Sequence, residues 1–181
     1  MENEFLILKN LKHENIIEVK DFQKQNNKCF LVLDSFNQMT LKLKIENKKP
    51  DLYSFLCIAI NLCEVCYYLH EKNIIYQNFT TSSILINEKT NEIKLFDFSE
   101  SKEISKIKSI KKTSNNTDIY KAPEQTSRIN FSITEQTDIY SLGIVFYEML
   151  SGVVPYDSKD LLSLSHTIIT KEFLSLSELD F

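Results

Sequence analysis

Cys63 and Cys66 stand three positions apart in the run LCEVCYYLH, the spacing of half a zinc site. A closed structural zinc site needs four ligands, and no second Cys or His pair follows at matching spacing, so these thiols read as buried structural groups. Cys29 and Cys57 also lie in apolar segments, which fits a reducing cytosol better than a disulfide framework. His13 and His166 are isolated. His70 ends an apolar run together with Tyr67 and Tyr68, and reads as a boundary residue beside core aromatics. Asp97 follows a short β-branched run, where a carboxylate can cap nearby backbone amides. The two glycines, Gly143 and Gly152, both lie late in the sequence, so these residues form no glycine-rich loop to cradle phosphates. A nucleotide would have to be held in some other way.

These side chains need a framework, and 181 residues with 43% hydrophobic content suffice for one sizeable core. The net charge of -4 and pI near 5.5 provide no basic excess to hold nucleic acid or anionic membrane by field alone. No charged leader precedes an apolar h-region, and no uncharged stretch approaches the roughly eighteen residues that span a bilayer. The expectation is a soluble cytoplasmic protein with neither nucleic acid nor membrane as partner.

Phe5, Leu8 and Leu11, widened by Ile7, predict a helix from Glu2 to Lys12. Two runs rich in β-branched and aromatic residues, Ile16 to Phe22 and Cys29 to Leu33, predict a hairpin across QKQNNK. Leu41, Leu43 and Ile45 suggest a short amphipathic piece, and Pro50 marks the first turn of a long helix reaching His70. That helix is apolar on most sides, which predicts a place at the centre of the core. Short strands are expected at Ile84 to Asn87 and Glu92 to Phe96, joined by EKTN. Five lysines from Lys102 to Lys112, continued by Ser, Thr and Asn to Thr117, predict a mobile loop. Thr137 is placed to cap a helix running to Leu150 and ended by Gly152 and Pro155, with a last helical stretch from near Ser158.

Several motifs now fall in one order. KLFDFSES resembles the DFG element of protein kinases at Asp97, Phe98 and Ser99, and YKAPEQ resembles the APE element at Ala122, Pro123 and Glu124. DIYSLGIVFYEMLSGVVPY, from Asp138, resembles the central C-lobe helix, and EFLILKNLKHENII resembles the N-lobe helix. APEQTSRINFSITEQTDIYSLGIVFYEML with DSKDLLSLSHTII is most similar to the kinase-like domains of large multidomain proteins that continue into an AAA-type ATPase and a sensor histidine kinase.

The resemblance places LHEKNIIYQNFTTSSILIN at the catalytic loop, where the family reads H-R-D-L followed by K-x-x-N. Tyr76, Gln77, Asn78, Phe79, Thr80 and Ser83 stand at those positions. Asn78 replaces the catalytic base, and a neutral amide has no oxygen basic enough to take the substrate proton. Thr80 replaces the lysine that steadies the transferring phosphate, Ser83 the ligand of the second Mg2+, and Gln77 the arginine that orders a phosphorylated activation segment. Asp97 keeps the position that holds Mg2+, and Glu4 matches the helix glutamate whose partner lysine lies on a strand before it, ahead of Met1. Asp138, Glu124 and Tyr120 take structural roles in the family.

The resemblance therefore implies an α+β, truncated kinase-like fold lacking its N-terminal strands: an N-lobe remnant at 1–36, helix plus hairpin, and a mainly helical C-lobe at 37–181, truncated at its end. The expected function is a catalytically inactive regulatory or scaffolding module in signalling, which requires no cofactor and acts on a protein partner or adjacent signalling domains. ATP and Mg2+ are the cofactors of the alternative, a serine/threonine kinase completed by a preceding segment. A non-functional gene fragment is the third alternative.

Overall fold

The structure is a computed structural model of the chain, and describes residues 1–26, 28–36, 39–107, 119–126, 132–155 and 161–170, the last of these as backbone alone at 161–165. Helix α1 spans Glu2–Lys9 and turns Ile7 and Leu8 into the core, with Leu11 buried just beyond its end. It stops a turn earlier than the apolar spacing suggests, because the amides of Asn10 and Leu11 bond back to the carbonyls of Ile7 and Leu8. Strands β1 (Val19–Gln25) and β2 (Lys28–Leu33) form the expected antiparallel hairpin, closed by the Gln25 and Lys28 pair around Asn26 at φ +49°. Asparagine tolerates that left-handed geometry better than most residues, which suits a tight turn.

Strand β3 (Met39–Thr40) leads into α2 (Leu41–Asn47), whose N-cap is the Thr40 hydroxyl, accepting from the Leu43 amide at 3.3 Å. Helix α3 spans Leu52–Glu71, and its cap is Asp51, whose carboxylate accepts from Ser54 N at 2.7 Å. Pro50 therefore lies before the cap and not in the first turn.

By length and composition alone α3 could cross a membrane. It is not buried all round, as its composition suggested. Ile58, Leu62, Val65, Cys66 and Leu69 face the core, whereas Leu52, Tyr53, Leu56, Ile60 and Tyr67 are exposed among the described residues. Composition reports how apolar a helix is; which stripe is covered depends on what packs beside it. The cysteine and tyrosine expectations are corrected in the same way: of the four thiols only that of Cys66 is buried, Cys63 is exposed, and Tyr67 points to solvent.

Strand β4 (Ile74–Ile75) pairs antiparallel with β7 (Lys102–Glu103), and β5 (Ile84–Ile86) sits between β3 and β6 (Ile93–Leu95). The lysine-rich loop thus begins as a strand and a 3-10 turn at Ile104–Lys106, and 108–118 lies outside the described residues. Helix α4 spans Glu135–Ser151. Its N-cap is Thr134, not Thr137. Thr137 is the third helical residue, and its hydroxyl accepts from the Thr134 amide at 3.2 Å, one half of a capping box. Gly152 ends the helix at φ +82°, the left-handed cap. Helix α5 spans Leu161–Thr170, and Ser158, its expected start, lies outside the described residues.

The architecture is mixed α+β, with small antiparallel sheets and helices around one apolar cluster. Phe55 of α3 meets Phe146 of α4 edge to face at 6.0 Å, and Tyr76, Phe79 and Phe98 pack in T-shaped contacts beneath the loop between β4 and β5.

Candidate functional site

The loop from Tyr76 to Ser83 is held from below by Asp138, at the start of α4 and fully buried. Its Oδ2 accepts from Tyr76 N at 2.9 Å and its Oδ1 from Gln77 N at 2.7 Å, while the His70 ring lies 2.9 Å from Oδ2. A buried carboxylate is tolerated only when its oxygens are satisfied, and here both are. Gln77 adopts φ +62°, an uncommon conformation for a side chain without a local backbone bond. The surroundings over-determine it: Asp138 takes its amide, Gln125 Nε2 donates to its carbonyl at 3.3 Å, and its own Nε2 donates to Glu100 O at 3.1 Å.

Tyr76 is fully buried, and its hydroxyl donates to the carbonyl of Phe96. Burial, foremost, drives its phenol well above the ordinary tyrosine range, so it is a neutral donor and no acid or base at neutral pH. Ser101 Oγ bonds the Tyr76 carbonyl at 3.1 Å and fastens the strand that follows Asp97 to the same loop.

The half-buried Asn78 donates its amide to the Asp97 carbonyl at 3.0 Å. Its own carbonyl accepts from Ser83 Oγ at 2.5 Å. Ser83 is 3% exposed, which places its hydroxyl inside the loop, where it also lies 3.0 Å from Thr80 O. Ser83 N in turn donates to Thr80 Oγ1 at 3.0 Å, so Thr80 and Ser83 satisfy one another. Both hydroxyls are thus engaged within the loop itself.

Asp97 is exposed and sits at φ +60°. Its Oδ1 accepts from Ser99 Oγ at 2.6 Å and more weakly from Ser99 N at 3.4 Å, so it does cap the next turn while remaining open to solvent. Glu4 reaches the same place from α1: it is 9% exposed, and its Oε1 accepts from Phe98 N at 3.0 Å. Burial, and after it the nearby Asp97 charge, raise the Glu4 carboxyl above the usual range. Glu4 is thus held at the backbone of Phe98, near enough to feel the Asp97 charge, and Phe98 itself is fully buried with its ring against Tyr76.

The remaining expected structural residues also meet partners. Tyr120 Oη donates to Glu148 at 2.5 Å and lies 2.8 Å from Thr81 Oγ1, tying the segment before the APE-like element to the loop and to α4. Glu124 accepts from Thr137 Oγ1 at 2.5 Å. Lys121 pairs with Glu100 at 3.2 Å.

Asn78, Asp97 and Glu4 are thus brought to one place, with Asn78 and Glu4 both bonded to the DFG-like segment. Sequence reasoning missed His70 and Gln125. His70 looked like a helix boundary, yet it completes the Asp138 cluster, and Gln125 bridges Ala122 N and Gln77 O. No local pattern marks either role, since both partners lie far off in sequence.

The protein kinase domain family matches residues 1–179. The chain is similar to serine/threonine-protein kinase TIO of Arabidopsis thaliana, 31% identical over 171 residues, which cover 93% of this chain and 13% of that protein. Serine/threonine-protein kinase 33 of Bos taurus is 30% identical over 166 residues, 86% of this chain and 34% of that protein. A relative from Acanthamoeba polyphaga mimivirus is 30% identical over 168 residues, 87% of this chain and 60% of its own length. The chain spans less than two thirds of the length of each of these relatives. With the motif order, the loop hub at Asp138 and a family match over nearly all its residues, the chain belongs to the protein kinase family.

Proposed function

We propose that this kinase-family domain does not transfer phosphate and acts in the cytoplasm as a regulatory or scaffolding pseudokinase module in signalling. The supporting observation is the state of the catalytic loop. Asn78 stands at the base position with its amide spent on the Asp97 carbonyl, and the Ser83 hydroxyl is bonded inward to Asn78 and Thr80. General base catalysis is commonly worth about 10²- to 10⁴-fold, and phosphoryl transfer also needs metal ligands and cations around the phosphoryl oxygens. Base, phosphate-steadying lysine and second-metal ligand are all replaced, at Asn78, Thr80 and Ser83. The module works through a protein partner or adjacent signalling domains, of the kind found in multidomain proteins with an AAA-type ATPase and a sensor histidine kinase, and requires no cofactor.

A second reading, transfer of phosphate from ATP to serine or threonine, rests on the exposed Asp97 carboxylate and on relatives named as serine/threonine-protein kinases. Asp97 would hold one Mg2+ in that case, and Glu4 stands beside it. The two readings separate in one assay of the purified chain with Mg2+, ATP and generic protein acceptors. The expected result is no transfer above background, with Asn78→Asp restoring none, since Thr80 and Ser83 remain changed. Reproducible transfer by the unmodified chain, abolished by Asp97→Ala, overturns the pseudokinase reading.

A further inference from the structure

Helix α3 carries two apolar stripes. Ile58, Leu62, Val65, Cys66 and Leu69 face the core, and on the opposite side Leu52, Tyr53, Leu56, Ile60, Cys63 and Tyr67 stand exposed among the described residues. At about 100° per residue the outer set falls within one arc about 100° wide. From Tyr53 to Tyr67 it recurs at intervals of three, four, three and four residues, the spacing of a seam that packs against another helix. A helix on the flank of a domain needs one apolar stripe, for the core, and presents polar groups elsewhere. In α3 the only Asp, Glu, Lys or Arg residues are Glu64 and Glu71.

We propose that the outer stripe of α3 is a self-association surface, covered by the same stripe of a second copy of this chain running antiparallel. Ile60 stands seven residues from Tyr53 and seven from Tyr67. A two-fold axis beside Ile60 therefore sets Tyr53 of each copy near Tyr67 of the other, which makes the stripe complementary to itself. Antiparallel helices also bring the positive end of one macrodipole to the negative end of the other. The area agrees with a pair of copies. Tyr53 is 74%, Tyr67 67% and Ile60 56% exposed. With roughly 150–250 Å² for a buried aromatic side chain, the stripe holds roughly 600 Å². Together with the groups on its flanks, this approaches the about 800 Å² that each partner contributes to a standard-size interface. A membrane surface fits less well, because a helix lying in an interface carries Lys and Arg on its polar face and α3 has neither. The inference does not depend on whether the domain transfers phosphate.

The test is sedimentation equilibrium of the full chain in reducing buffer from about 1 to 100 μM, with a reversible monomer–dimer equilibrium expected inside that range. Ile60→Glu sets two charges against one another at the axis and should raise the dissociation constant at least about thirtyfold, and Tyr67→Ser at least about tenfold. Leu6→Glu, at an exposed apolar position on α1, should leave it unchanged. All three positions are exposed, so the folded far-UV circular dichroism spectrum is retained in each variant. A second readout needs no variant: alkylation of the exposed Cys63, followed by peptide mass, should slow as protein concentration rises. A monomer throughout the range, a dimer indifferent to Ile60→Glu and Tyr67→Ser, or Cys63 alkylation independent of concentration would overturn the proposal. So would a monomer that floats with phosphatidylcholine vesicles, which would assign the stripe to a membrane.

Discussion

Replacing Asp138 by asparagine tests the claim that one buried carboxylate organises the loop. Asn has nearly the same shape, so no cavity term enters. Asp138 accepts from two backbone amides and lies within hydrogen-bond distance of the His70 ring, and every one of these bonds is 2.9 Å or shorter. An amide keeps one oxygen and turns the other position into a donor. If NH2 takes the Oδ1 place it faces Gln77 N–H; in the Oδ2 place it faces Tyr76 N–H. Either way one buried backbone N–H loses its acceptor, and the surviving bond loses its charge assistance. A hydrogen bond to a charged group contributes about 1.5–3 kcal/mol, and orphaning a buried donor costs about 1–3 kcal/mol; these overlap, so the expected loss is about 2–4 kcal/mol. His70→Gln removes one ring contact and leaves both amides bonded, so its cost should be smaller, about 1 kcal/mol. The assay is urea unfolding followed by far-UV circular dichroism, with the midpoint shifting at unchanged slope. A loss below about 0.5 kcal/mol for Asp138→Asn, or a larger loss for His70→Gln, would refute the reasoning.

Glu4→Gln should stabilise the protein more at pH 7 than at pH 4. The folded carboxyl is raised above its ordinary value of 4.5, so the cost of ionising it in place is absent below that value, grows as pH rises through the window above it, and is complete beyond the raised pKa. Gln removes the charge and can still accept from Phe98 N; a difference in stability that is flat in pH, measured by urea titration across this range, would contradict the assignment. The two glycines should respond in opposite directions to alanine. Gly143 lies inside α4 with open space around a new Cβ, so Gly143→Ala should gain about 0.5–1 kcal/mol. Gly152 sits at φ +82° with Lys49 Cδ only 2.8 Å from a new Cβ, so Gly152→Ala should lose about 1–2 kcal/mol. Thermal unfolding of both variants reads the sign directly.

What could be read locally was largely legible. The hairpin, α2, α3, the strands β5 and β6 and α4 follow from apolar spacing and from turn and cap residues within a few positions of one another, with errors at their ends, as with Thr134 in place of Thr137; the two-residue strands β3, β4 and β7 were not legible, because each exists only through its pairing with a distant segment. The chemical content of the loop was also legible, because a side chain's functional groups do not depend on folding: Asn78 lacks a basic oxygen wherever it is placed. The tertiary structure decided which groups meet. Glu4 and Phe98 are 94 residues apart, Asp138 lies 62 from Tyr76 and 68 from His70, and Thr81 lies 39 from Tyr120. It also decided which stripe of α3 is covered, leaving Ile60 and Tyr67 exposed while Leu62 and Cys66 are buried. Propensity and periodicity act over a turn or two of chain, whereas burial and hydrogen-bond partners depend on the packing of distant segments, so no window of sequence carries Asp138's three contacts or the meeting of Cys66 with His70 and Asp138.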